Sequence, residues 1–403
     1  MVFVAAARMG ALTKLRAQRT GVRRALSLAI AVACLAALAT LGPWLLASAL
    51  GQRGVSSRPS RYDITYTAWN GRRRIAVVLL PAWYKHGSAR RLPLVISPHG
   101  RGMSPAFVAS RWGALPTHDG FAVVCPAGEG ARLPADSWGA TGEISDLARM
   151  PQIVGHALPW VHIDRRCVYA VGASMGGQEA LLLAARHPDR IAAAVSIDGV
   201  ADLATHFDEM PRPRGPGRRI LAEMVVECGG TPAQRPAAYA LRSPLCYAHD
   251  LAFDHVPLEL WWSRRDQVVV NQGACQSGLL YRTIKGLNPE APVRQVVTDY
   301  RHCVAFCSAI ALRQVVCFLR PGGRWRQLRA PPRLTFTVHR ELDWLAGREG
   351  GHTGRAYVDV RASAKVTAFP CSSAECRHRV IKVQAADLST AQLSIWSAGK
   401  ARS

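Results

Sequence analysis

Apolar positions change rhythm along this chain, and each rhythm predicts a different kind of element. Ala25 to Leu50 is an unbroken uncharged run. Tyr62 to Trp69 and Arg74 to Leu80 then alternate at period two on either side of Asn70-Gly71, the pattern of two antiparallel strands joined by a two-residue turn. Buried-strand runs follow at Leu92 to Ser97, Phe121 to Cys125, Cys167 to Val171, Ala192 to Ile197, Val256 to Trp262 and Val293 to Tyr300. Helical stretches separate them, among them Asp146 to Trp160, Gln178 to Ala185 and Val304 to Leu319. Strands alternating with helices imply an α/β fold whose mostly parallel sheet is covered on both faces. Residues 201–247, with the Pro-rich run Pro211 to Gly217, break that rhythm and read as an insertion over the strand ends, a lid or substrate-facing excursion. Beyond Arg320 the pattern turns to short period-two runs at 334–338, 356–360, 365–369, 380–383 and 392–396, which predict a small all-β, sandwich-like module. Trp344 and Trp396 in that module read as core residues ahead of sugar-stacking ones. The expected organisation is therefore a leader over 1–50, an α/β domain over 51–320 and a β-rich module over 321–403.

The chemistry enters at Val171-Gly172-Ala173-Ser174-Met175-Gly176-Gly177, where a strand run passes through Gly-x-Ser-x-Gly straight into a helix. That order exposes a serine hydroxyl on a sharp turn and makes Ser174 the candidate nucleophile. A serine hydroxyl barely ionises at neutral pH, so it needs a histidine base and a carboxylate that holds the histidine in the right tautomer. Both are expected downstream, acid before base. Asp266 lies in a polar loop after the run ending at Trp262, and His302 follows the run ending at Tyr300, so these are the expected acid and base. Asp198, at the end of the run 192–197, is the competing acid, and Asp299 is expected to cap or pair locally. An oxyanion needs amide donors as well. Met175 supplies one, and the run Pro98-His99-Gly100-Arg101-Gly102 supplies the other, from Arg101 with Gly102 close behind.

The spacing of Pro98-His99-Gly100, Ile163-Asp164-Arg165-Arg166, Gly172-Ala173-Ser174-Met175-Gly176-Gly177, Arg242-Ser243-Pro244, Asp266-Gln267-Val268-Val269 and His302 resembles the catalytic domain of the prolyl oligopeptidase family and its stand-alone esterase relatives, within the α/β-hydrolase superfamily. The resemblance covers about residues 62 to 320. It implies an α/β-hydrolase fold with Ser174 as nucleophile, Asp266 as acid, His302 as base, and the amides of Met175 and the His99-Gly100-Arg101 loop as oxyanion donors. Peptidases of that family join the hydrolase to a large β-propeller, for which there is no room between the leader and Tyr62. The resemblance therefore implies an esterase ahead of a peptidase.

Composition narrows location and partners. The chain has 403 residues, 49 % of them hydrophobic, ample for a sizeable core. Its formal charge is +24, an excess that suits anionic envelope polymers or lipid headgroups. No basic run interleaved with aromatics occurs, so nucleic acid is not an expected partner. Arg8, Lys14, Arg16, Arg19, Arg23 and Arg24 precede the uncharged run with no acid among them, and Ala47-Ser48-Ala49 closes it. This is the form of a signal peptide or a membrane anchor, and it predicts a secreted or extracytoplasmic protein. Cys34 lies in the leader and ten cysteines follow, an even number that predicts disulfides in an oxidising compartment. Cys371 with Cys376, Cys228 with Cys246 and Cys303 with Cys275 are the candidate pairs. No paired Cys-x-x-Cys set is present, and neither a metal nor an organic cofactor is expected. The expected function is an exported serine hydrolase acting on small-molecule or polymer carboxylic esters. An exopeptidase of the prolyl oligopeptidase type and a non-catalytic envelope-binding protein are the alternatives.

Overall fold

The computed structural model describes residues 57–210 and 216–328, and the backbone of three later strands within 357–398. The expected leader, the runs at 334–338 and 365–369, Trp344, Cys371 and Cys376 lie outside the described residues.

Strand β1 (Ser60–Thr67) pairs antiparallel with β2 (Arg73–Leu80), with Thr67 opposite Arg73. The connection is not the two-residue turn expected. The Ala68 amide donates to Arg72 O at 2.8 Å and the Gly71 amide to Ala68 O at 2.9 Å, so three residues form the loop and Gly71 closes it at φ 82°. The cause is Trp69, whose amide donates to Asp146 Oδ2 at 2.8 Å instead of to the neighbouring strand.

The remaining strands are β3 (Leu92–Ile96), β4 (Ala122–Pro126), β5 (Ile163–Ala173), β6 (Ala193–Ile197), β7 (Leu258–Ser263) and β8 (Val293–Thr298). They complete an eight-stranded sheet in the order β1-β2-β4-β3-β5-β6-β7-β8, parallel from β4 onward. Its central strands are apolar runs because both faces are covered. In β3, Leu94 and Ile96 enter one apolar cluster and Val95 the other. The Val95 face is covered by α1 (Pro105–Arg111), α2 (Leu115–Asp119) and, from the end of the domain, a long apolar helix over Ala309–Leu319. The Leu94 face is covered by α3 (Thr141–Ala157) and α4 (Met175–Arg186), whose buried stripes include Ile144, Leu147, Leu181 and Leu183.

Residues 201–247 do interrupt the strand–helix rhythm, and they do so as helices: α5 (Leu203–Glu209), α6 (Pro216–Cys228) and α7 (Pro236–Ala240). They share a small core of their own, Leu203, Met210, Ile220, Met224 and Tyr239, which closes on Trp138, Met175 and Val269. After α8 (Ala248–Phe253) and β7, the short α9 (Gln272–Cys275) and α10 (Ser277–Leu287) lead into β8, and α11 is the helix at 309–319 already placed. Strands β9 (Tyr357–Ala362), β10 (His378–Gln384) and β11 (Ala391–Ala398) form a separate antiparallel sheet in the order β10-β11-β9, which accounts for three of the five runs expected there.

The disulfides expected among the described cysteines are absent. Cys303 is buried in the Val95-face cluster, whereas Cys275 closes α9 with its thiol against Glu209. Cys228 is buried against Tyr239 while Cys246 is exposed, and no bridge joins them. The buried thiols act as small apolar core groups.

The turn from β5 to α4 leaves no room for a side chain at Gly172, where an added Cβ would come within 2.2 Å of Gly176 O. Gly172→Ala should therefore destabilise the domain by about 1–3 kcal/mol. Gly155, in the interior of α3, has nothing within 4 Å of the same position, so Gly155→Ala should stabilise by about 0.5–1 kcal/mol. Urea unfolding of the two variants checks the contrast, and equal effects would contradict the packing at Gly172.

Candidate active site

Ser174 stands at φ 57° and ψ −126°, a conformation that a residue with a side chain holds only when its surroundings enforce it. Here its amide is fixed to Ile197 O at 2.9 Å, and its carbonyl accepts from the Gln178 amide at 3.0 Å. The chain can fold back this tightly because Gly176 has no side chain: an added Cβ would lie 2.3 Å from Pro98 O. The result is a hydroxyl carried at the C-terminal edge of the sheet, where ligands of open α/β sheets bind.

The expected partners meet it there. His302 Nε2 is 3.0 Å from Ser174 Oγ, and His302 Nδ1 is 2.8 Å from Asp266 Oδ2. An ionised carboxylate can only accept, so the ring proton belongs on Nδ1 and Nε2 is left to accept from the serine hydroxyl. Asp266 is held by the amides of Val268 and Val269, both donating to Oδ1 at 2.9 Å, and by Gln272 Nε2 at 3.3 Å from Oδ2.

Asp198, the competing acid, has another position. Its Oδ1 accepts from the Ser263 amide at 2.9 Å and its Oδ2 from the Cys303 amide at 2.8 Å, so it braces the backbone beside His302 and leaves the ring to Asp266. Burial, reinforced by the Asp266 charge, pushes its carboxyl up to about 6. Asp198, His302 and Cys303 are the one trio among the described residues spaced closely enough to grip a metal. The Asp198 carboxylate holds two amides and the imidazole faces Asp266 and Ser174, so both groups already have protein partners. Asp299 does not cap or pair locally as expected: it is exposed and reaches Arg264 Nη1, 35 positions back after β7, at 3.3 Å.

The loop after β3 is shaped by His99. Its buried ring lies with Nε2 accepting from the Gly128 amide at 3.0 Å and Nδ1 2.9 Å from Gly100 O, which sets the proton on Nδ1. Burial holds this imidazole below its ordinary value, in keeping with a neutral ring. Gly100 O also accepts from the Met103 amide at 3.0 Å. In a planar trans peptide the Arg101 N–H then points away from both. The Gly102 amide is taken by Asp136 Oδ1 at 2.9 Å, which leaves Arg101 and not Gly102 as the loop's available donor. Met175 is the first residue of α4, where amides have no acceptor within the helix.

The loop before α3 and the excursion add groups the sequence did not single out. Trp138, at φ 48°, donates its amide to Met175 Sδ at 3.4 Å, and its ring lies 6.1 Å from that of His206 on α5. His206 is buried and Nδ1 has no partner among the described residues. Burial first, and the neighbouring His302 second, lower it from 6.5 to about 4, with Asp266 opposing. A ring kept neutral in the folded protein but titrating normally in the unfolded chain adds stability above about pH 6.5. That stability is lost as pH falls towards 4, because only the unfolded chain takes up the proton. His206→Gln should therefore gain on the wild type by on the order of 3 kcal/mol between pH 7 and pH 4. Urea unfolding at both pH values measures this, and an unchanged difference would show that the ring is not held neutral.

Comparison with known proteins bears on the fold that carries this site. Residues 162–277, which run from the start of β5 to the start of α10, match the family model of the alpha/beta hydrolase fold. A protein of Nocardia uniformis subsp. tsuyamanensis named "Putative esterase NocK" is 33 % identical over 135 residues, 31 % of this chain and 37 % of that one. A Mycobacterium tuberculosis puromycin-hydrolyzing peptidase superposes with a TM-score of 0.54 at 19 % identity, over 70 % of this chain and 41 % of that one. A Pyrococcus horikoshii acylaminoacyl peptidase superposes with a TM-score of 0.51 at 15 % identity, over 69 % and 44 %. The chain thus spans less than half the length of each. Strand order, the turn at Ser174 and these matches together identify the region as having the alpha/beta hydrolase fold, which it shares with these peptidases.

Proposed function

We propose that this protein is a serine hydrolase that cleaves carboxylic esters through an acyl-enzyme. The observation that carries the reading is the unbroken hydrogen-bonded chain from Ser174 Oγ through His302 to Asp266. Ser174 Oγ attacks the ester carbonyl while His302 Nε2 takes its proton. The Met175 and Arg101 amides receive the charge that develops on the carbonyl oxygen. His302 returns the proton to the departing alcohol, and the same ring then activates a water that releases the acid. Asp266 holds the ring in the tautomer that each step requires.

Ester substrates are favoured by the likeness to a protein named as an esterase, at an identity well above that of the peptidases. The uncharged run Ala25 to Leu50 behind a purely positive flank supports an extracytoplasmic location, secreted or membrane-anchored.

Ser174→Ala should lower kcat on a p-nitrophenyl ester by about four to six orders of magnitude with the fold intact. Asp266→Asn should cost roughly ten-thousand-fold by favouring the wrong tautomer, and Asp198→Asn far less. The reverse ranking of the two aspartates would assign the acid to Asp198. A panel of p-nitrophenyl esters of graded length beside amino-acyl p-nitroanilides tests the substrate class. Faster turnover of the anilides would replace the esterase by an exopeptidase.

A further inference from the structure

Helix α6 of the excursion carries two carboxylates one turn apart, and each holds a loop that borders the candidate site. Glu227 accepts from three successive amides, Ala131 at 2.6 Å and Arg132 and Leu133 both at 2.9 Å, and from Arg242 Nη2 at 3.1 Å. That loop continues to Asp136, which binds the Gly102 amide, and to Trp138 beside Met175. Glu223 takes the Arg101 side chain in a two-pronged contact, with Nη2 on Oε1 at 3.1 Å and Nε on Oε2. A forked guanidinium–carboxylate pair fixes direction as well as distance, and this one is mostly out of solvent, at 23 % and 15 % exposure. Arg219, on the solvent side, shares the same carboxylate at 3.0 Å without touching the loop.

The consequence falls on the Arg101 amide. His99 and Met103 pin the peptide plane on its carbonyl side, and Asp136 takes the next amide along. The Arg101 side chain is the remaining handle on that plane, and a residue 122 positions away grips it. We propose that Glu223 is a positioning residue for the oxyanion hole: by holding the Arg101 guanidinium it sets where the Arg101 amide meets the reacting carbonyl. The excursion is then part of the catalytic scaffold and more than a cover. The proposal rests on the reading of Ser174 as nucleophile. Losing an oxyanion donor outright costs about a hundred- to a thousandfold in kcat, so a donor that drifts should cost roughly tenfold. The loss belongs in kcat and not in KM, because the donor matters most once charge develops.

The test is a double-mutant cycle on one soluble p-nitrophenyl ester, with kcat and KM measured separately. Glu223→Gln and Arg101→Met, which keeps the Arg101 amide, should each lower kcat about tenfold with KM within twofold. The double variant should lose no more than either alone, since both remove the same contact. Arg219→Ala should leave kcat unchanged. If Glu223→Gln does not fold, Arg101→Met against wild type carries the kcat comparison. Additive losses, or a rise in KM at constant kcat, would overturn the positioning role. Hydrolysis that survives Ser174→Ala in parallel would overturn the serine reading and the proposal with it, whereas hydrolysis that needs Ser174 but is indifferent to Glu223 and Arg101 overturns the proposal alone.

Discussion

The site depends on the close crossing of two backbones at Gly176, where the turn after β5 presses against Pro98 of the loop after β3. This contact brings the loop that carries Arg101 up against Ser174, with Gly100 beside the Ser174 side chain, from segments more than seventy residues apart. It also explains the positive φ of Ser174, because a relaxed turn would separate the strand end from that loop. The strain is sustained by the amide bond to Ile197 and by a sheet whose central strands have both faces covered.

Around that crossing, two aspartates divide the work on His302. Asp266 is supplied with three donors of its own and faces the ring, as suits a carboxylate that must stay charged beside an imidazole. Asp198 faces the backbone on the other side and ties the Cys303 amide to that of Ser263. Cys303 takes a positive φ of 58° in consequence, and the loop delivers the imidazole at the required angle. The excursion supplies the outer layer, with Glu223 on Arg101, Glu227 on the loop before Trp138, and His206 against Trp138.

What was legible in the sequence is what chain order and local pattern encode. Ser174, Asp266 and His302 follow from a Gly-x-Ser-x-Gly between strand and helix and from polar positions after later strands, and the structure brings these residues together. The strands were legible because double-sided burial leaves apolar runs. The first hairpin was misjudged by one residue because Asp146, nearly eighty positions on, claims the Trp69 amide. The excursion's helices were hidden by its prolines and arginines, and the placing of Glu223 and His206 rests on contacts across more than sixty residues that no local signal marks. The disulfide expectation rested on an even count and an expected oxidising compartment, whereas Cys125 and Cys303 are spent as buried packing groups in one apolar cluster and Cys228 in another.

The measurement that bears most directly on this account is peptide mapping of the intact protein after reaction with a fluorophosphonate, which captures only a serine activated by its surroundings. The account predicts one phosphonylated residue, Ser174, and loss of the adduct when His302 is replaced by Ala. An adduct on another residue, or equal labelling of Ser174 without His302, would contradict it.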